Sequence, residues 1–185
     1  MNIVFCHGVM GPEMDWNNKT FNPNKNWKYW LQFWVEATHD VIMQMPAFPH
    51  AHVALMKYKE WENVMDHLEI NQDTVLIGHS AGGGFVLKYL SMHPELKVRQ
   101  VILVAPWTDT TNETGFYSGL DFTNIQNQSK YGVDLLMSDN DMEDINKSCE
   151  QIIREIPNVH PHTFHGYGHF FQLAEFPEIT EIIKF

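Results

Sequence analysis

"VLIGHSAGGGF", residues 75–85, joins an apolar run to a second apolar pattern through one serine set among small residues. Val75-Leu76-Ile77 is apolar at successive positions, as expected of a strand buried on both faces in a parallel sheet covered by helices. Ala81–His93 reads as the helix that follows. Between them, Gly78-His79-Ser80-Ala81-Gly82 fits G-x-S-x-G, the sharp strand-to-helix turn that exposes a serine oxygen at a sheet edge. Glycines two positions either side are needed because a Cβ would strike the neighbouring strand or helix. Ser80 is therefore a candidate nucleophile, and the Ala81 N–H, opening a helix, is a candidate oxyanion donor. A packing turn without chemistry would use the same glycines, so the rest of the chain has to decide.

Working outward, short apolar runs alternate with longer helix-like segments. Candidate strands are Asn2–Cys6, Asp40–Met45, Thr74–Gly78, Gln100–Ala105, Gly132–Met137 and Val159–Phe164. Candidate helices lie around Asn26–Ala37, Lys57–Leu68, Ala81–His93, Ile145–Glu155 and Ile179–Ile183. Such alternation argues for an open α/β sheet with helices on both faces, a three-layer αβα architecture. The 185 residues, 44% hydrophobic and 19% charged, fit one domain over residues 1–185. Trp107–Tyr131, rich in Thr, Asn, Gly and aromatics, reads as a long loop region.

Net charge excludes some partners. Twelve Lys and Arg against 23 Asp and Glu leave −11, with no basic cluster, so phosphate backbones and anionic membranes are repelled. No apolar run approaches the ~20 residues that span a bilayer. Cys6 and Cys149 are far apart, and Cys6 sits in the apolar run Ile3-Val4-Phe5-Cys6, the setting of a packed, reduced thiol. No basic segment precedes that run, so it does not read as a signal peptide. A soluble, cytoplasmic protein acting on small molecules, with no nucleic-acid or membrane partner, is the expectation.

A serine hydroxyl needs a base to take its proton. In open α/β sheets ligands bind beyond the carboxyl ends of strands, and hydrolytic partners follow the serine in the order acid, then histidine. After the fifth candidate strand comes Ser138-Asp139-Asn140-Asp141. Asp141 lies farther into the loop and is the preferred acid, with Asp139 the main competitor as a turn cap, Asp134 a third, and Asp109 a substitute from the preceding loop. After the last strand, His165-Gly166-Tyr167-Gly168-His169 offers His169 on a flexible loop as the base. His79 neighbours Ser80 in sequence, but its side chain is expected to project elsewhere. His160, His162 and His165 lack the matched Cys, Asp or Glu spacing that would complete a metal site, so neither metal nor cofactor is expected. His7-Gly8 after the first strand precedes a second oxyanion donor, the N–H of Val9 or of Met10.

With these residues in place, the chain resembles the α/β-hydrolase superfamily, and more closely the compact small serine hydrolases typified by the retinoblastoma-binding protein 9 hydrolase. The likeness rests on Gly78-His79-Ser80-Ala81-Gly82-Gly83, Pro46…Pro49…Trp61, Gly115-Phe116-Tyr117, Ser138-Asp139-Asn140-Asp141 and Gly168-His169-Phe170. It implies a mainly parallel six-stranded sheet in the order 2-1-3-4-5-6, without the first two strands of larger hydrolases and without a large cap domain. The S-x-x-D likeness favours Asp141 over Asp139. Met142 stands where that family usually has proline, and no L-x-C-x-E sequence is present, so retinoblastoma-type binding is not carried over. The function expected is cleavage of a small ester, thioester or amide through an acyl group on Ser80, with Trp107, Phe116, Tyr117 and Phe122 roofing an apolar substrate pocket. A catalytically silent binding protein on the same fold, or an acyltransferase, is the alternative.

Overall fold

The computed structural model describes residues 1–9 and 26–185. Its centre is built from the runs that are apolar at every position. β1 (Asn2–Cys6), β3 (Thr74–His79), β4 (Gln100–Val104) and β5 (Val133–Ser138) carry side chains that are almost all buried. Two shorter or more polar strands close the sheet: β2 (Ile42–Gln44), with Ile42 exposed, and β6 (His160–Phe164). Pro161 cannot donate to a ladder and lies in β6, an edge strand, where one side of the backbone is unpaired.

All pairings are parallel, and the order is β2-β1-β3-β4-β5-β6. The winding direction reverses between β1 and β3, the crevice where open α/β sheets place ligands. Register across that crevice pairs Cys6 with Gly78, so the segments after β1 and β3 emerge side by side.

Helices α1 (Trp27–His39), α2 (Tyr58–Met65), α3 (Ala81–Met92), α5 (Glu143–Glu155) and α6 (Glu178–Ile182) cover the sheet on both faces. α1 starts at Asn26, whose side chain accepts the Lys28 N–H, and ends where Asp40 turns left-handed. That turn takes Asp40 out of the strand expected from residue 40, so β2 starts only at Ile42. α5 begins at Glu143, two positions ahead of the expected Ile145, and places Glu143 and Asp144 in its first turn, where carboxylates favour the helix dipole. Within 107–131, expected as loop, Ile125–Gln128 forms a short helix, α4. α3 carries three consecutive glycines and is buried from Ala81 to Leu90; burial, not intrinsic propensity, holds it.

Candidate active site

Ser80 sits at φ 56°, ψ −127°, a backbone conformation that costs about 1–3 kcal/mol in a residue with a side chain. Neighbours on every side hold it there. Its N–H donates to the Val104 carbonyl at 3.0 Å, and its carbonyl accepts from Gly83 at 2.9 Å and Trp107 at 2.9 Å. The flanking glycines are steric requirements. A Cβ on Gly82 would lie 2.1 Å from the Cys6 carbonyl oxygen, and one on Gly78 would lie 2.6 Å from the Gly82 oxygen. On the other side of the crevice, a Cβ on Gly8 would come within 2.8 Å of the Ser80 Cβ. The turn after β1 is thus pressed against the serine.

The three residues singled out as nucleophile, base and acid meet at the carboxyl ends of the strands. The Ser80 hydroxyl donates to His169 Nε2 at 2.8 Å, and the His169 Nδ1–H is shared by both oxygens of Asp141 at 3.0 Å. The Asp141 side chain is 1% exposed and the His169 ring 7%. Asp141 Oδ1 also accepts the Met142 N–H at 2.7 Å, a donor that a proline would lack.

The competing carboxylates are committed elsewhere. Asp139 accepts from the exposed His165 ring at 2.7 Å and from the Gly166 N–H at 2.9 Å. The His165 bond holds the Asp139 carboxyl below the usual aspartate range. Asp134 accepts from Gln100 at 2.7 Å and His162 at 2.9 Å, and Asp109 organises its loop by accepting from Glu113 and Thr114. Among the described residues no group of three or more His, Cys, Asp or Glu is arranged to hold a metal ion.

The loops that carry Asp141 and His169 are laced together almost residue by residue. Besides the Asp139–Gly166 and Asp141–His169 contacts, Ser138 Oγ accepts the Tyr167 N–H at 3.0 Å and Asn140 Oδ1 accepts the Gly168 N–H at 2.8 Å. Asn140 Oδ1 also accepts the Ser138 hydroxyl at 2.8 Å. Nothing in the sequence marks Ser138 and Asn140 as positioning residues; the fold brings them opposite Tyr167 and Gly168 of the His169 loop.

For an oxyanion, Ala81 is the first residue of α3, and the first amides of a helix have no acceptor in a preceding turn. Val9 is half-buried against the core beside Gly8. The other candidate donor, Met10, lies outside the described residues. His7 accepts the Phe48 N–H on Nε2 at 3.3 Å, which leaves Nδ1 protonated to donate to the Gly8 carbonyl at 2.7 Å. Burial keeps His7 below the ordinary histidine pKa.

The aromatics expected to roof a substrate pocket differ in burial. Phe116 and Tyr117 are each 4% exposed and belong to the core, because the loop that carries them folds inward. Phe116 packs on Trp61 and Phe85, and the Tyr117 hydroxyl donates to the Ala81 carbonyl at 2.9 Å. Trp107 and Phe122 are partly buried, and Trp107 braces Ser80 through its backbone. Among the described residues, Phe171, not singled out from the sequence and 42% exposed, has its ring 4.6 Å from that of His169.

Comparison with known proteins agrees with this architecture. A family model described as the alpha/beta hydrolase fold matches residues 53–129. No curated protein matches the chain. Among solved structures, the ydeN gene product of B. subtilis superposes with a TM-score of 0.73 at 18% identity, over 98% of this chain and 95% of that one. Naproxen esterase (carboxylesterase NP) of Bacillus subtilis gives 0.59 at 12% identity, over 98% and 81%. Est1E of Butyrivibrio proteoclasticus, solved with ferulic acid bound, gives 0.61 at 14% identity, over 98% and 85%. The strand order, the strand-to-helix serine turn and these superpositions lead to one statement of kind: this chain has the α/β-hydrolase fold.

Proposed function

We propose that the protein is a serine hydrolase that cleaves a small ester, thioester or amide through an acyl-enzyme on Ser80. One observation carries the reading: a continuous hydrogen-bonded line from the Ser80 hydroxyl through His169 to a buried Asp141, at the switch point of the sheet. In this mechanism His169 Nε2 takes the hydroxyl proton as Ser80 Oγ attacks the carbonyl carbon, and Asp141 stabilises the imidazolium. The Ala81 and Val9 amides hold the tetrahedral oxyanion. His169 then gives its proton to the leaving group, and water deacylates Ser80 by the same route, with no cofactor.

The leaving group departs on the side of His169, where Phe171 offers an exposed aromatic surface, and Trp107 borders the serine from the β4 side. The esterase names of several structural neighbours support ester chemistry in particular. The finer likeness to retinoblastoma-binding protein 9-type hydrolases belongs to the same proposal. We also place the chain in a reducing, cytoplasmic setting, a reading supported by two buried free thiols, of which burial pushes Cys149 up to about 12. Among the described residues no helix is long and apolar enough to cross a membrane.

The test is a panel of chromogenic esters, thioesters and anilides given to the parent protein and to Ser80→Ala. The expected result is turnover of at least one class by the parent, falling by about 10⁴-fold or more in the variant. Equal rates in the two would reject the proposal.

A further inference from the structure

His79 stands immediately before the serine, at the end of β3, fully buried. The sequence predicts a side chain that projects elsewhere; instead it reaches the backbone of His169. His79 Nε2 lies 2.9 Å from the His169 carbonyl oxygen, which can only accept, so Nε2 carries the proton and Nδ1 is bare. Nδ1 is buried without a hydrogen-bond partner among the described residues. The ring is boxed in by Trp27 at 5.9 Å, Phe171 at 5.4 Å and the His169 ring at 5.0 Å. Burial, with Lys28, His169 and His7 as the basic groups facing it, holds the imidazole neutral well below the ordinary histidine pKa.

What this bond does follows from how the base loop is otherwise held. Gly166, Gly168 and Phe170 all adopt left-handed backbone, and a Cβ on either glycine would meet nothing within 4 Å. Packing therefore does not fix those two positions. The Gly166, Tyr167 and Gly168 N–H groups and the His169 Nδ1–H donate to Asp139, Ser138, Asn140 and Asp141, and all of these bonds tie the base to the acid's loop. The His79 bond ties the backbone of the base to the strand that carries the nucleophile. We propose that His79 is a positioning residue that sets the distance between Ser80 and His169 by donating Nε2–H to the His169 carbonyl. This rests on the serine-hydrolase reading above, which it deepens.

Amide side chains separate the two ring nitrogens, since Gln places its NH₂ near the Nε2 position and Asn places it near Nδ1. The experiment compares parent, His79→Gln, His79→Asn and His79→Leu for folding, for kcat and KM on the best ester, and for the ¹⁵N shift of His169 Nε2, with Ser80→Ala as the reference for a base that has lost the hydroxyl. We expect His79→Gln to keep most of the parent kcat. His79→Asn and His79→Leu should lose about 100-fold in kcat with KM little changed, the scale of a base displaced by about 1 Å. In those two, the His169 Nε2 shift should move to the Ser80→Ala value while the Nδ1–H signal of the Asp141 pair persists. The kcat-pH profile of His79→Gln should match that of the parent, because a neutral tether does not titrate.

If His79→Leu fails to fold, the Gln–Asn contrast carries the same test. Folded Asn or Leu variants with the parental Nε2 shift and kcat would overturn the proposal, as would Gln falling as far as Asn. The Nε2 shift is read without turnover, so a parent inert on every ester, thioester and anilide rejects the hydrolase reading and leaves the tether to be judged by the shift alone.

Discussion

The Ser80 turn and the His169 loop reach the same few ångströms by opposite means. Ser80 is held by backbone bonds to β4 and its following segment and by glycines whose missing Cβ atoms leave room for the Cys6 and Gly82 carbonyls. His169 rides on a half-exposed loop with left-handed residues at 166, 168 and 170, fixed by polar side chains from residues 138–141 and by His79. The first device is steric and tolerates no added atom. The second combines the buried Phe170 ring, packed on Phe164, Tyr167 and Phe176, with hydrogen bonds each worth about 0.5–1.5 kcal/mol net, and its polar part should fail by degrees.

Substitutions can break this contrast in order of size. The largest effect on rate is expected from Asp141→Asn, which leaves a folded protein with the wrong imidazole tautomer favoured; kcat should fall by about 10⁴-fold with a nearly unchanged melting temperature. A rate within tenfold of the parent would remove Asp141 from the role of orienting acid. On the steric side, Gly82→Ala drives a methyl into the Cys6 carbonyl oxygen and should destabilise by about 3 kcal/mol or more, read as a lower denaturation midpoint in urea. Tolerance of that methyl would show that the turn is not sterically determined.

The polar side should give smaller, graded losses. Asn140→Ala removes the acceptor of both the Gly168 N–H and the Ser138 hydroxyl, so activity should drop by about tenfold and stability by about 1 kcal/mol. Smallest of all is Asp139→Ala, which cuts the exposed lacing to His165 and Gly166. Since the folded state lowers the Asp139 pKa, its contribution is fully present above the ordinary aspartate value of about 3.9 and fades as pH falls through the lowered value. The melting-temperature gap between parent and variant should therefore be constant near neutrality and close under strong acid. A gap that widened on acidification would refute the assignment.

The same contrast explains what could be read in the chain. Steric requirements leave a local mark: Gly78 and Gly82 flank Ser80 at fixed spacing, and the doubly apolar runs Val75-Leu76-Ile77 and Val101-Ile102-Leu103-Val104 announce a covered parallel sheet. Strand ends were less legible, as at Asp40, where a helix cap competed with an apolar run. Lacing between loops leaves no local mark. Asn140 and Gly168 are 28 positions apart, His79 and His169 are 90 apart, and nothing in either segment alone names the other. For the same reason nothing in the local sequence of Phe116 and Tyr117, aromatic and downstream of β4, marks their burial. Met142 is instructive in another way. Its φ of −60° suits the proline expected by resemblance, yet its N–H serves Asp141, so the departure adds a donor to the acid.

The central claim is that Ser80 is an activated nucleophile because His169 accepts its proton. A fluorophosphonate probe, followed by mass mapping of the adduct in parent, Ser80→Ala and His169→Ala, asks this directly. The expected outcome is one adduct on Ser80 in the parent, none in Ser80→Ala, and labelling slowed by orders of magnitude in His169→Ala. A folded parent that stays unlabelled, or that labels equally fast without His169, would contradict it.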